Sequence, residues 1–255
     1  MPWGQSRTGG GGHTVNGFTI MSDHRLEVLR GCSLLSGLPE AALAEAAAAA
    51  RVRPFHANEV LYERGEVQST LSVVGAGSVR IDATSAEGRG IMLTLFEAGA
   101  WFGDTVFSPG MPRVFGATAH SDGELVEVPG QAYRELLARY PEAYPRTLDM
   151  LSRRLWSAIS IIQDNALRDM PARVGRRLLF LAAMHDPGSR ASGPVTFKLT
   201  REHIANMMGM TRQGVHRVLK TLEAEGLITF SYGQVTVPDP AALRDHLDKQ
   251  DQSPD

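Results

Sequence analysis

The sequence predicts an α+β fold in which an antiparallel β-roll, one long helix and a winged helix-turn-helix follow one another along the chain. Three observations predict it. Between residues 51 and 129, short apolar runs are separated by glycines, which is typical of a small antiparallel barrel or roll. Over residues 142–168, apolar side chains recur at spacings of three and four. From Leu199 to Phe230, two short amphipathic segments meet at Gly209.

Five segments are expected from these patterns, and each has its own composition. They are a disordered, glycine-rich extension over residues 1–22, the roll over 23–141, the long helix over 142–168, the winged helix-turn-helix over 169–238, and a helical or disordered acidic tail over 239–255.

Composition restricts the class of protein. The 255 residues are 43% hydrophobic and 21% charged, as in a globular chain. No window approaches 18 apolar residues, the N-terminus lacks the apolar core of a signal peptide, and Cys32 is the sole cysteine. We therefore expect a cytoplasmic protein with no membrane span, no internal disulfide and no cysteine-based metal site. Neither a phosphate loop nor a G-x-S-x-G motif occurs, so an enzyme is not expected.

Helices are predicted on both sides of the roll. The pattern from Leu26 to Ala50 is helical, with breaks at Gly31 and again at Gly37 to Pro39. After the roll, Pro129 precedes a second helical stretch from Gly130 to Arg139. The long helix that follows is expected to begin near Pro141 and to bend near Pro145.

The long helix carries the seam of a parallel coiled coil. Its members are Leu148, Leu151, Leu155, Ala158, Ile162 and Asn165. Spacings of three and four place all six on one face, and a polar Asn in such a seam fixes the register of the two helices. The sequence therefore predicts a homodimer through this helix. The alternative is that the stripe packs on the roll of its own chain.

Two short helices with caps form the predicted helix-turn-helix. Thr200 and Thr211 each stand where an N-cap hydroxyl would accept a backbone amide proton, and Gly209 allows the positive φ of a sharp turn. The segment from Leu227 to Val237 is expected to form two strands of a wing around Tyr232-Gly233. Upstream, Asp169 followed by Pro171 predicts the start of the module's first helix.

Polar side chains on the outer face of the second helix indicate nucleic-acid binding. A helix in the major groove presents its N-terminal residues to base edges, so base contacts are predicted for Arg212, Gln213, His216 and Arg217. Phosphate contacts are predicted for Arg201, Thr211 and Lys220.

Charge supports that assignment, although other interpretations remain open. Residues 169–238 hold nine Lys and Arg against five acids, a net charge of +4, while the rest of the chain carries −6. The alternatives are a solvated helix face, or a ligand-binding or scaffolding protein whose winged helix contacts protein. Gly214 costs roughly 1 kcal/mol inside a helix; it either lets the backbone approach DNA closely or has no role.

From about residue 25 to residue 238, the order of parts resembles the CRP/FNR family of bacterial transcription factors. The resemblance rests on the glycine-punctuated roll, the segment WFGDTVFSPGMPRVFGA, the dimer helix, the Asp169 hinge and the segment TRQGVHRVLKTLEAEGLI. The last of these is specific, and the roll is less so. The resemblance implies a cyclic-nucleotide-binding-like roll and a homodimer on double-stranded DNA with a two-fold symmetric site. In the family, Glu usually follows the first Arg of the recognition helix. Gln213 stands there in this chain, so a different base preference is expected.

The resemblance also implies an effector pocket. Members that bind cyclic nucleotides use Gly-Glu on the ribose, and an Arg followed by Ser or Thr on the cyclic phosphate. Gly103, Asp104 and Arg113 stand at those places, and Val114 replaces the hydroxyl residue. The alternative for Arg113 is a structural surface arginine.

Cyclic AMP is not expected to be the effector. Where the cyclic-AMP-activated member has a Thr-Ser pair that reaches adenine, this chain has Ala158 and Ile159. Each lost hydrogen bond removes roughly 1 kcal/mol. Haem-binding relatives use an axial His, for which His56 and His120 are weak candidates because a lone His in a β-domain is usually structural. No cofactor is predicted, and a different nucleotide, another small effector or none stays open.

RNA polymerase is a candidate partner. The loop from Met184 to Thr200 is longer than the chain connection requires. In the resembling family, the loop before the helix-turn-helix is an activating surface for the polymerase α subunit. A passive linker is the alternative.

Overall fold

The computed structural model describes residues 24–67, 69–84, 90–185 and 193–252. The predicted N-terminal extension, residues 1–22, lies outside them. The described residues form two compact units. The first is built from the described residues up to 79, with residues 96–113 and 119–147, and the second from the described residues within 80–95, 114–118 and 148–252.

Between residues 24 and 139, the described chain forms helices on both sides of a set of short strands, as predicted. Helix α1 covers residues 24–30, and α2 covers Glu40–Ala49. The strands are β1 (Arg51–Phe55), β2 (Val60–Tyr62), β3 (Thr70–Ala76), β4 (Ser78–Thr84), β5 (Gly90–Glu97), β6 (Trp101–Phe102), β7 (Gly116–Ala119) and β8 (Gly123–Pro129). Helix α3 (Gly130–Arg139) follows, and its N-cap is Pro129.

Two four-stranded sheets confirm the predicted antiparallel roll. Their strand orders are β1-β8-β3-β6 and β2-β7-β4-β5. In the first sheet β3 pairs antiparallel with β8, with Leu71 opposite Val128 and Val73 opposite Val126. Residues 70–74 of β3 are all buried; α3 packs on this strand, and both α2 and α3 pack on its neighbour β8. Because side chains on both faces of β3 are buried, this strand does not show the alternation of buried and exposed residues that is typical of a strand with one face in water.

The long helix is observed as α4 (Tyr144–Leu167), close to the predicted bounds. Residues Pro141–Ala143 form a separate 3₁₀ turn before it, so Pro145 falls in the first turn of α4 and removes no interior hydrogen bond. The predicted bend at Pro145 is therefore not required.

Four helices and three strands make up the C-terminal part that the structure describes. They are α5 (Met170–His185), β9 (Val195–Lys198), α6 (Arg201–Met208), α7 (Arg212–Ala224), β10 (Thr229–Ser231), β11 (Gln234–Val237) and α8 (Pro240–Gln252). Asp169 caps α5 as predicted, because its Oδ1 accepts the amide proton of Ala172 at 3.0 Å. Gly209 ends α6 with φ 62°, the left-handed conformation that the sharp turn needs.

Strand β9 corrects the prediction of a loop up to Thr200. Val195 and Phe197 are buried, while Thr196 and Lys198 are exposed. The strand pairs with β11, so the wing has three strands in the order β10-β11-β9 rather than two. Four alternating residues after a glycine and a proline are too short a signal to override a loop prediction.

One hydrophobic cluster holds the helix-turn-helix, the wing and the last helix together. Its fully buried members include Val174, Ile204, Leu219, Val235 and Leu243. The segment after residue 238, for which a helix or a disordered tail was open, forms α8 and packs on α5. Gly175 makes this close approach possible, because a Cβ there would lie 2.8 Å from Leu247 Cδ2.

Candidate functional site

The second helix of the helix-turn-helix presents a polar face. Val215, Leu219 and Leu222 are buried against the core, so α7 is fixed along one side. The opposite side leaves Arg212, Gln213, Arg217 and Lys220 exposed and His216 half-buried. The predicted base-contacting residues therefore lie together on the surface, next to the helix N-terminus. Their role in base contact stays a prediction.

Caps fix the geometry of both helices. Thr211 accepts the Gly214 amide proton at 3.1 Å, and Thr200 accepts that of His203 at 3.1 Å. The Thr200 amide in turn donates to His203 Nδ1 at 3.3 Å, which completes a capping box. Both threonines are N-caps as predicted. Because the Thr211 hydroxyl accepts the Gly214 amide proton, it can still donate its own proton to a phosphate.

Two of the predicted DNA-contacting arginines have protein partners. Arg212 Nη2 donates to Glu202 Oε2 of α6, and both side chains are exposed. The guanidinium carbon of Arg201 lies 4.4 Å from the centre of the Phe230 ring, and Arg201 is half-buried. Stacking on the wing restrains Arg201, so its predicted phosphate contact depends on the part of the guanidinium that remains accessible.

Two hydrogen bonds hold the wing, one at its tip and one on strand β10. The Leu199 amide donates to Gly233 O at 2.9 Å, and the Phe230 amide donates to Glu223 Oε1 at 2.8 Å. At the tip, Tyr232 is fully exposed and has φ 47°, a conformation that non-glycine residues seldom adopt. The following Gly233 has φ 75°.

The predicted effector residues Gly103, Asp104 and Arg113 come together in the first unit. Gly103 has φ 106°, and a Cβ there would collide with the carbonyl oxygen of Thr70, so only glycine fits at this turn. Asp104 begins a short 3₁₀ helix, Asp104–Phe107. The Arg113 backbone pairs with the chain at residues 65–66, through N–H···O distances of 2.8 and 2.9 Å.

Arg113 is buried, so the alternative of a surface arginine is wrong. Its residue is 3% exposed, and within the described part of the chain no hydrogen-bond partner reaches Nε or Nη2. Its guanidinium carbon lies 3.9 Å from the centre of the Tyr62 ring. Burial lowers the pKa of Arg113, and the negative charges of Glu66 and Asp104 oppose that shift. A buried cation with two unused donors on one edge of the fork fits an anion.

A buried polar network that the sequence did not reveal supports Tyr62. The Tyr62 hydroxyl donates to Glu127 Oε1 and lies 3.1 Å from the Ser72 hydroxyl. Glu127 is buried and accepts a hydrogen bond from Arg51 Nε at 2.8 Å. Tyr62 therefore has a fixed ring for Arg113 to lie on. Glu127 lies between Val126 and Val128 in β8, and Tyr62 is the last residue of β2, so the sequence alone does not show that the two side chains are buried together.

The other predicted pocket residues belong to the second unit. Val114 and Ala158 are exposed and Ile159 is half-buried. Their contribution to a ligand site stays a prediction. His56 and His120, the weak haem candidates, are both exposed, which does not fit an enclosed axial ligand. Among the described residues, no group of three or more metal-binding side chains is found.

The predicted seam of α4 is largely exposed in the single chain. Leu148, Leu155 and Ile162 are 60%, 61% and 67% exposed, and Leu151 is half-buried. Ala158 and Asn165 are exposed as well. The stripe is thus available to a second helix. No helix in the described part of the chain has the length and apolar character that crossing a membrane requires.

A contact missed by the sequence joins β5 to the DNA-binding module within the second unit. Met92 is buried in the same cluster as the helix-turn-helix. Arg177 Nη2 of α5 donates to Leu93 O at 2.5 Å. Because β5 is at the edge of its sheet, the carbonyl groups along its outer side are not used in strand pairing and can accept such a bond.

Comparison with known proteins gives the same two parts in the same order. A family model for the cyclic nucleotide-binding domain matches residues 52–140, and one for the Crp-like helix-turn-helix domain matches residues 172–246. A CRP-like cAMP-activated global transcriptional regulator of Mycobacterium tuberculosis is 28% identical over 218 residues, 85% of this chain and 97% of that protein. The cAMP-activated global transcriptional regulator CRP of Haemophilus influenzae is 30% identical over 175 residues, 68% and 78% of the two chains.

Solved structures agree with the sequence relatives. A transcriptional regulator of the CRP family from Thermus thermophilus is 27% identical, with a TM-score of 0.54 over 77% of this chain and 96% of that one. A CooA variant from Carboxydothermus hydrogenoformans, 21% identical, shares the fold with a TM-score of 0.62 over 78% and 88% of the chains. The chain belongs to the CRP/FNR family of transcriptional regulators, whose DNA-binding domain is a helix-turn-helix.

Proposed function

We propose that the chain is a homodimeric regulator that binds an inverted-repeat DNA site in the cytoplasm and responds to an anionic effector other than cyclic AMP. The observation that carries the DNA-binding part is the exposed face of α7. Arg212, Gln213 and Arg217 lie on one surface at the helix N-terminus, while the opposite face is packed on the core. Arg forks onto guanine and Gln pairs with adenine, so these side chains can read base edges.

The exposed stripe on α4 supports the homodimer. Two antiparallel or splayed helices would not bring the same positions together, whereas a parallel pair buries Leu148, Leu155 and Ile162 against their own copies. Such a pair relates two recognition helices by a two-fold axis. The half-sites should then lie about 10 base pairs apart, one turn of the double helix.

A protein partner for the winged helix is the competing function. The outer face of α7 carries positively charged side chains and a side-chain amide. On the wing, Tyr232 is an exposed large hydrophobic residue. Protein interfaces usually have an apolar centre and few lysines. Lys220 and the net charge of +4 over residues 169–238 favour a polyanion over a protein surface.

An anionic effector is supported by Arg113. Leaving a buried guanidinium without partners on Nε and Nη2 costs free energy, and an anion would satisfy both donors. Cyclic AMP fits the proposal less well, because Val114, Ala158 and Ile159 offer no side-chain hydrogen bond.

A contact with RNA polymerase is the last part of the proposal, through the segment between α5 and β9. Residues 186–192 lie outside the described residues. Replacing Ser189–Ser192 with a short Gly-Ser turn should leave DNA affinity unchanged and lower transcription from an activated promoter in a purified system. Wild-type transcription at matched DNA occupancy would exclude this contact.

Selection of duplexes from a randomised pool by the full-length chain tests the proposed function. We expect recovery of an inverted repeat. The competing function predicts a different result. No duplex would be enriched, and the immobilised chain would instead retain a purified partner protein through its winged helix.

A further inference from the structure

Glu202 and Arg212 join the two helices of the helix-turn-helix. Glu202 lies in the first turn of α6, and Arg212 is the first residue of α7. Arg212 Nη2 donates a hydrogen bond to Glu202 Oε2. This bond lowers the pKa of Glu202 and raises that of Arg212, with the charge of each partner acting in the same direction. Both groups are therefore charged at neutral pH.

Stability does not explain this pair. Its side chains are 69% and 55% exposed, and ion pairs between exposed side chains contribute little to stability because water screens them. Glu202 is not needed as a helix cap either, because Thr200 and His203 already form the capping box of α6. A carboxylate is also unfavourable beside DNA, since the first helix of this motif crosses the phosphate backbone.

We infer that Glu202 is a positioning residue that holds the guanidinium of Arg212 for base reading, and so sets the base preference at one position of each half-site. The inference rests on the proposed DNA-binding function.

The chemistry of the guanidinium allows both contacts at once. Glu202 occupies one proton of Nη2, which leaves the second proton of Nη2 and those of Nη1 for guanine O6 and N7. A free Arg side chain loses rotamer entropy when it is fixed in a contact. Restraint by Glu202 removes part of that loss before DNA arrives. Pairing with Arg212 also neutralises the carboxylate that would otherwise repel phosphate.

This role predicts two effects of opposite sign when the carboxylate is removed. Discrimination between base pairs at the Arg212 position should weaken, because a neutral side chain holds the guanidinium less firmly than a carboxylate does. Binding to unrelated DNA should tighten, because a negative charge near the phosphates is gone. A residue with a merely structural role would not change base discrimination at a single position.

The test compares Glu202→Gln with Asp245→Asn in the full-length protein. Asp245 is an exposed acid on α8 of the same module, so the two variants lose the same charge. The probes are the duplex selected by the wild type, the same duplex with each base pair of a half-site replaced in turn, and a scrambled duplex of equal length. Affinities are measured by fluorescence anisotropy at one salt concentration.

For E202Q we expect discrimination at one base pair to fall roughly tenfold, the size of one good base contact. Binding to the scrambled duplex should tighten more than in D245N. In an Arg212→Ala background, E202Q should no longer alter discrimination. Glu202→Asp, which keeps the charge but has a shorter reach, should lie between E202Q and the wild type.

Two results would overturn the inference. One is an E202Q protein whose discrimination at every position stays within about twofold of the wild type, a change below 0.5 kcal/mol. The other is an equal loss on specific and scrambled duplexes. Failure of the proposed function is distinct, since the wild type itself would then select no preferred duplex.

Discussion

Replacing Leu155 with Asp should dissociate the dimer and leave each protomer folded. Leu155 is 61% exposed in the single chain, so the change hardly touches the protomer core. Burying a whole Leu side chain contributes about 1.5–3 kcal/mol. Dimerisation would bury the exposed three-fifths of this side chain in each protomer. Over the two copies, that burial stabilises the dimer by roughly 2–4 kcal/mol. The dissociation constant should therefore rise roughly 30-fold to 1,000-fold. Two carboxylates in the seam would add a desolvation cost of several kcal/mol each.

Sedimentation equilibrium over a range of protein concentrations measures this constant directly. Ser160→Asp is the matched control, because Ser160 is exposed on the same helix but outside the seam. It should remain dimeric with the wild-type unfolding midpoint. L155D should keep the wild-type helical content by circular dichroism, while its unfolding midpoint falls because the stabilisation by dimerisation is lost. If L155D shows the same mass as S160D at every concentration, the seam assignment is refuted.

Three further predictions follow from the recognition helix, the pocket and the wing. Arg217→Ala should cost about 1–3 kcal/mol of binding free energy on the selected duplex and much less on scrambled DNA. In the same anisotropy titrations, Lys220→Ala should weaken binding to both duplexes equally. Equal losses for R217A would make Arg217 a phosphate contact. Cyclic AMP at physiological concentration should leave DNA affinity unchanged, and calorimetric binding in the micromolar range or tighter would contradict this. Tyr232→Asn should raise the free energy of unfolding in urea by about 1 kcal/mol, because two consecutive residues with positive φ form a turn that prefers Asn-Gly. A lower free energy of unfolding would show that the tyrosine ring makes a stabilising contact.

Local signals predicted the helix-turn-helix well. Its caps, its glycine turn and its apolar period all act within four residues of one another, so Thr200, Gly209 and Thr211 could be assigned without tertiary information. The wing turn at Tyr232-Gly233 was found for the same reason. Strand β9 was missed because only four residues alternate and the pairing partner, β11, is about 40 residues away.

Contacts across the fold were beyond the reach of sequence patterns. Nothing in the spacing of Arg113 shows that it is buried on Tyr62, a residue about 50 positions earlier. The pairing of Glu202 with Arg212 crosses a turn between two helices, and a charge in a first helical turn is usually a solvated one. The bond from Arg177 to Leu93 depends on an edge carbonyl that only the sheet order identifies.

Changing the spacing of the half-sites tests the central claim most directly. Inserting five base pairs between the half-sites of the selected duplex rotates one of them by about half a turn of DNA. A two-fold symmetric dimer with recognition helices fixed by a shared seam should then bind no more tightly than it binds a duplex with one half-site. Affinity equal to that of the original duplex would contradict the account, because the two recognition helices would not be reading the DNA as one symmetric unit.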